Sequence, residues 1–226
     1  MALILKAQDP NERGNLRNYY NQPLHFGFAL SFSKTNFVIR TEKNFEQFDS
    51  LKSIISYAKP GFNIGFLAEL RLQKYLTLRF LPNIAFAGRS VEYYFQGVND
   101  TITRVKNIES AFLNFPVDIK LRSKRVNNVG AYLLAGGGYA LDLQSKRKVD
   151  NTGVILSEQL LKIRRDDFFY EAGAGAEFYL EYFKFAIEGK VSMGINNLII
   201  KDNTIFSNPI DKLRSKVFLI SITFEG

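Results

Sequence analysis

Apolar and polar residues alternate with a period of two along almost the whole chain, the signature of half-buried β-strands. In the first segment Leu24, Phe26, Phe28, Leu30 and Phe32 interleave with His25, Gly27, Ala29, Ser31 and Ser33. The same alternation recurs over 62–72, 76–86, 110–121, 132–142, 168–180, 183–195 and 217–225. The pattern predicts eight strands and no long helix.

The connections alternate as strictly as the residues do. Gln73-Lys74, 123–128 and Glu181-Tyr182 are short polar turns, whereas 34–60, 88–107, 144–166 and 196–215 are long. An all-β, antiparallel, up-and-down barrel with one plain rim and one decorated rim produces this rhythm. The second long connection carries its own alternation over 91–95 and 102–108, which predicts a hairpin turned at Asn99-Asp100 that extends beyond the barrel. Residues 1–23 form an N-terminal segment and 24–226 the barrel. With an even strand number both termini fall at the short-turn rim.

Alternation leaves open which face is inside. In a soluble lipocalin-like barrel the apolar face lines a ligand cavity; in an outer-membrane barrel it meets lipid. Two features favour the membrane. The polar face is rich in small residues, among them Gly27, Gly65, Gly136, Gly138, Gly173, Gly175 and Gly194. Glycine in a strand weakens a water-facing surface, but a crowded lumen needs it. The same face also holds mid-strand charges of both signs: Glu69, Arg71, Arg79, Asp118, Lys120, Glu171, Glu177, Glu188 and Lys190. Enclosed in a barrel, these groups must pair with one another. No Lys, Arg, Asp or Glu lies on the opposite face of any core strand. An eight-stranded transmembrane barrel with a lumen filled by an ion-pair network is therefore expected, in the bacterial outer membrane with both termini periplasmic.

Composition changes this picture little. The 226 residues carry 30 Lys+Arg against 22 Asp+Glu, a formal charge of +8. A mean hydropathy of −0.10 resembles that of a soluble protein, because each strand averages an apolar face against a polar one. No run approaches the roughly 18–20 apolar residues of a membrane helix. The stretch Leu3 to Gln8 reads either as the remnant of a signal peptide or as an ordinary N-terminus. The segment from Asp9 to Pro23 either caps the lumen or touches a partner.

Candidate chemistry is sparse. With no Cys and one His, disulfides, Cys-zinc sites, thiol catalysis and a His-rich metal site are all excluded or improbable, and no cofactor is expected. His25 falls at the short-turn rim without an arranged Ser-Asp pair, so no enzyme activity is expected. Gly173-Ala174-Gly175 lacks the third glycine of a dinucleotide fingerprint, since position 178 is Phe. Gly136-Gly137-Gly138 is followed by no Gly-Lys-Ser/Thr. Both clusters fit lumen packing better, and no small-molecule substrate is expected. The third long connection holds Lys146, Arg147, Lys148, Lys162, Arg164 and Arg165, which either contact lipopolysaccharide phosphates or are simply solvated. No basic stripe interleaved with exposed aromatics supports nucleic-acid binding. Phe45, Phe48, Tyr57, Tyr93, Tyr94 and Phe95 are candidate partner anchors or members of an interfacial aromatic girdle.

Several strings, taken in order, resemble the PorT (SprT) family: Pro23-Leu24-His25-Phe26-Gly27-Phe28, Pro60-Gly61-Phe62-Asn63-Ile64-Gly65, Leu70-Arg71-Leu72 and Leu78-Arg79-Phe80-Leu81-Pro82. Glu109-Ser110, Asn114-Phe115-Pro116, Lys124-Arg125-Val126-Asn127-Asn128, Tyr182-Phe183-Lys184-Phe185, Gly194-Ile195-Asn196-Asn197-Leu198 and Thr223-Phe224-Glu225 continue it. The resemblance implies an outer-membrane barrel accessory to type IX protein secretion and, in some bacteria, gliding motility, working through contact with other secretion components. It brings no catalytic residues. A generic structural or adhesin-type barrel, or a soluble ligand-binding barrel, are the alternatives.

Overall fold

The computed structural model describes residues 15, 16, 19, 22–43, 50–97, 100–145, 159–202 and 204–226. Nine strands form one sheet: β1 (Leu24–Thr41), β2 (Leu51–Arg71), β3 (Leu76–Phe80), β4 (Asn83–Gln96), β5 (Thr101–Arg122), β6 (Val129–Asp142), β7 (Asp166–Tyr179), β8 (Lys184–Gly194) and β9 (Ile210–Glu225). Every neighbouring pair is antiparallel, and β1 pairs with both β2 and β9, so the sheet closes on itself.

The ring has eight positions, because β3 and β4 occupy one of them. They are interrupted only at Leu81-Pro82, and the register continues unchanged across the gap, from Ala68 opposite Phe80 to Gly65 opposite Asn83. Proline has no N–H to give to the ladder, and Pro116 on β5 has none either. The neighbours compensate: Leu81 N–H bonds to the Pro116 carbonyl at 3.3 Å, and Phe66 N–H bonds to the Pro82 carbonyl at 3.0 Å.

The wall has two storeys. In the storey nearer the short turns the outside is apolar: Phe26, Phe28, Phe32, Phe66, Ile119, Leu133, Phe168 and Ile220 are all half or more exposed. The inside is polar, with Glu69, Arg79, Asp118, Lys120 and Lys184 fully buried. A soluble ligand-binding barrel has the reverse arrangement. From Leu24 to Ser33 on β1 this band spans ten residues, or about 25 Å of height for a strand tilted by roughly 40°, matching the apolar belt of membrane barrels.

Above that band the polarity inverts. Phe37, Leu51, Val91, Tyr93, Ile210 and Leu213 turn inward and pack with Leu161, Ile163, Leu198, Ile199 and Phe206 into a water-excluding core. The outward positions here are Lys34, Asn36, Val38 and Arg40 on β1, and Lys212, Arg214 and Lys216 on β9, polar but for Val38. The described parts of two connections, 159–165 and 195–202, meet at this storey through a bridge between Ile163 and Ile199.

This storey is mostly strand where the sequence suggested loop. In the sequence 34–60 reads as a long connection, but β1 runs to Thr41 and β2 begins at Leu51. The connection 88–107 is the expected hairpin, with β4 ending at Gln96 and β5 starting at Thr101.

Candidate functional site: a sealed lumen

Strand register brings the lumen charges together. Glu69 stands opposite Arg79, Arg79 opposite Asp118, and Gly136 opposite both Asp118 and Glu171. The glycine is a spatial necessity. A Cβ at Gly136 would lie 2.2 Å from the Val117 carbonyl oxygen and 2.3 Å from Asp118 Oδ1. Likewise a Cβ at Gly175 would strike the Tyr132 ring at 2.4 Å. Small residues on some strands leave the lumen volume to long charged ones on others.

Glu69 is the hub. Its Oε1 accepts from Arg79 Nε at 2.8 Å and Lys120 Nζ at 2.9 Å, and its Oε2 accepts from Lys184 Nζ at 3.2 Å. Arg79 crosses the lumen to Glu188 at 2.5 Å, where the Tyr132 hydroxyl also donates at 2.7 Å. Glu177 takes Lys120 at 2.5 Å and Lys184 at 3.2 Å. Lys190 bridges Glu171 at 3.0 Å and Glu188 at 3.5 Å. Asp118 is fully buried, and neither carboxylate oxygen has a hydrogen-bond donor among the described residues. Arg71 is half-buried near the rim and makes no ion pair among the described residues.

Three charged members of this network carry the same strand parity as their neighbours but were not singled out from the sequence: Lys184, Arg122 and Glu225. Lys184 lies two residues before Ala186 and four before Glu188, on one face. It meets Glu225 at 2.5 Å. Arg122 donates to Thr77 Oγ1 at 2.6 Å.

At the short-turn end Asn15 and Tyr19 of the N-terminal segment pack against the barrel. Tyr19 donates its hydroxyl to Glu225 at 3.0 Å, stacks on His25 with ring centroids 3.8 Å apart, and meets Tyr179 edge-on. His25 Nε2 lies 2.8 Å from the Tyr19 carbonyl oxygen, so the single histidine holds the cap. Burial pushes the Tyr19 hydroxyl pKa well above its ordinary value. Arg125 pins the same segment, donating to the Asn15 carbonyl at 2.6 Å while lying 3.9 Å over the Tyr179 ring.

Between the ion-pair layer and the upper core is a cavity of 90 Å³, lined by Asn63, Asn83, Ser110, Asn114, Ser192 and Arg89 among others. That volume accommodates a few waters. Its lining runs from Glu171 and Lys190 to Ile163, Leu198 and the exposed Arg164 and Arg165.

The other candidates from the sequence are dispersed. Lys162 is committed to Asp202 at 3.3 Å, whereas Arg164 and Arg165 are exposed. Lys146, Arg147 and Lys148 lie outside the described residues, as do Phe45 and Phe48. Tyr57 and Tyr94 are on the outer wall with their hydroxyls 3.3 Å apart. Tyr93 and Phe95 are not surface anchors. Tyr93 is fully buried, bonded to the Phe206 carbonyl at 2.9 Å, and Phe95 packs beside it. Their odd numbering on β4 turns them inward, where the inverted polarity makes the inside apolar.

A closed antiparallel barrel, apolar outside and ion-paired within, defines a membrane-spanning β-barrel. The chain belongs to the outer membrane protein beta-barrel domain family, whose model matches residues 6–199. It is therefore a small bacterial outer-membrane barrel. Similar solved structures include the outer membrane protein OprG of Pseudomonas aeruginosa, at 9% identity and a TM-score of 0.43, covering 90% of this chain and 94% of that one. The N-terminal β-barrel domain of P. aeruginosa OprF has 10% identity, a TM-score of 0.39, and coverages of 88% and 97%. The attachment invasion locus protein Ail of Yersinia pestis, solved with the heparin analogue sucrose octasulfate, has 12% identity, a TM-score of 0.39, and coverages of 91% and 100%. No curated protein matches the chain significantly.

Proposed function

We propose that this barrel is a non-enzymatic, non-conducting accessory of type IX protein secretion, and of gliding motility where the exported cargo includes gliding adhesins. It acts by contact with other secretion components. The observation that carries the reading is the sealed lumen: a tyrosine cap at one end, a layer of ion pairs in the middle and an apolar core at the other. Among the described residues the lumen leaves no room for a polypeptide, so in this reading any part in export is played by the outer wall and the loops. The resemblance of the ordered strings from Pro23 to Glu225 to the PorT (SprT) family supplies the secretion assignment.

In this reading the long connections face outward, both termini are periplasmic, and lipopolysaccharide and other secretion components are the partners. Deletion of the gene tests the assignment. The expected result is cargo lost from the medium and retained in the periplasm, restored by complementation. Secretion unchanged by the deletion would leave the alternative of a structural or adhesin-type barrel, which the tall β4–β5 hairpin favours.

A further inference from the structure

The charges on the outer wall are distributed unevenly around the barrel. On β1 and β9, immediately above the apolar band, cross-strand register sets Lys34 beside Phe218, Asn36 beside Lys216, Val38 beside Arg214 and Arg40 beside Lys212. All these side chains belong to the outward face. Lys34, Arg40, Lys212 and Arg214 are exposed, and the Lys216 ammonium lies 5.0 Å from the centre of the Phe218 ring. Five cations thus stand on two adjacent strands within four registers. Among the described residues one acid pairs with them, Asp211, which meets Arg40 at 3.6 Å. At the comparable height of the β4–β5 wall, the outward charged positions of those two strands are Glu92 and Glu109.

We infer that the β1–β9 wall is a binding surface for the phosphate groups of an anionic membrane lipid, and that under the outward orientation proposed above this lipid is the lipid A moiety of lipopolysaccharide. Height selects a lipid over a soluble anion. Phe32, Phe218 and Ile220 form the top of the apolar band, and the cations begin at the next outward residues. Acyl chains packed on those rings bring their headgroup phosphates level with Lys34 and Lys216. Lys216 keeps its stem on the Phe218 ring and its ammonium toward that layer. Arg40, Lys212 and Arg214 continue upward, so a headgroup with more than one phosphate spans the set. Arginine holds phosphate through paired N–H donors.

The test uses the full chain folded in detergent, with binding measured by native mass spectrometry. Its probes are bisphosphorylated lipid A, neutral phosphatidylcholine and inorganic pyrophosphate. The wild type is expected to prefer lipid A to phosphatidylcholine by at least tenfold and to resist displacement by equimolar pyrophosphate. Combining Lys212→Gln, Arg214→Gln and Lys216→Gln is expected to weaken lipid A binding by roughly a hundredfold, near the sum expected for three interfacial cations. The pair Lys34→Gln with Lys216→Gln is expected to lose roughly thirtyfold on the same scale, and serves if the triple variant does not fold. Arg164→Gln with Arg165→Gln is expected to leave lipid A binding unchanged. Equal binding of the two lipids, displacement by pyrophosphate, or loss in the Arg164/Arg165 pair instead of the β1–β9 variants would each overturn the site. None of these outcomes depends on a role in secretion.

Discussion

Glu69 on β2 and Arg79 on β3 stand opposite one another in register, both without exposed surface, and meet at 2.8 Å. The pair is the centre of the layer, because Glu69 also receives Lys120 and Lys184 while Arg79 reaches Glu188. Removing one partner strands the others' charge in a medium that solvates it poorly. Glu69→Gln or Arg79→Ala is expected to cost about 3–5 kcal/mol. The checks are the urea midpoint in detergent and the temperature at which the heat-modifiable gel shift is lost. Wild-type midpoints in both would mean that these side chains do not pair inside the barrel.

Two glycines separate crowding inside from space outside. Gly136→Ala drives a methyl group into the Val117 carbonyl and Asp118, and is expected to destabilise by about 1–3 kcal/mol. Gly189→Ala on β8 meets nothing within 4 Å and is expected to leave stability unchanged or slightly improved. Equal effects of the two changes, by the same urea titration, would contradict the assignment of faces.

Leu133 on the outer face of β6 is 63% exposed. On a water-facing wall Leu133→Arg would be close to neutral. In the bilayer a midplane arginine costs about 2–4 kcal/mol, and refolding into lipid vesicles is expected to show that loss.

Tyr19→Phe removes the donor to Glu225 while keeping the ring on His25. A hydrogen bond to a buried carboxylate is worth about 1.5–3 kcal/mol. The urea midpoint should fall accordingly, with a larger drop for Tyr19→Ala, which also loses the stacking. A cap that merely rests on the barrel would show neither.

Closure of both ends makes an electrical prediction. Wild-type protein inserted into planar bilayers is expected to show no unitary conductance steps. Regular steps would mean that the ion-pair layer and the upper core do not seal the lumen.

The membrane storey was legible in the sequence because its alternation is unbroken and its outer face lacks charge. Parity alone placed Glu69, Arg79, Lys120 and Glu188 on one surface. It did not say which of them touch, since pairing depends on register between strands remote in sequence. That Arg79 reaches Glu188 across the lumen, 109 residues away, follows only from closure of the ring. The upper storey escaped notice for a different reason. Along β1 the polar–apolar phase reverses between Ser33, which faces in, and Phe37, which also faces in. A stretch whose phase reverses reads as loss of pattern, so strand looks like loop, and Tyr93 and Phe95 look like surface. A phase reversal in an outer-membrane barrel is itself a signal that the wall has left the lipid.

That reversal gives the molecule a fixed waterline. Sinking the barrel by one register would drag Lys34 and Lys216 into hydrocarbon, and raising it would lift Phe32 and Ile220 into water. A collar of paired wall from β1, β2, β4, β5 and β9 then stands above the apolar band at a set height. Whatever docks on it meets a surface whose elevation and tilt are dictated by the chain's own residues, as a quay is set by its footings and not by the ships that moor there.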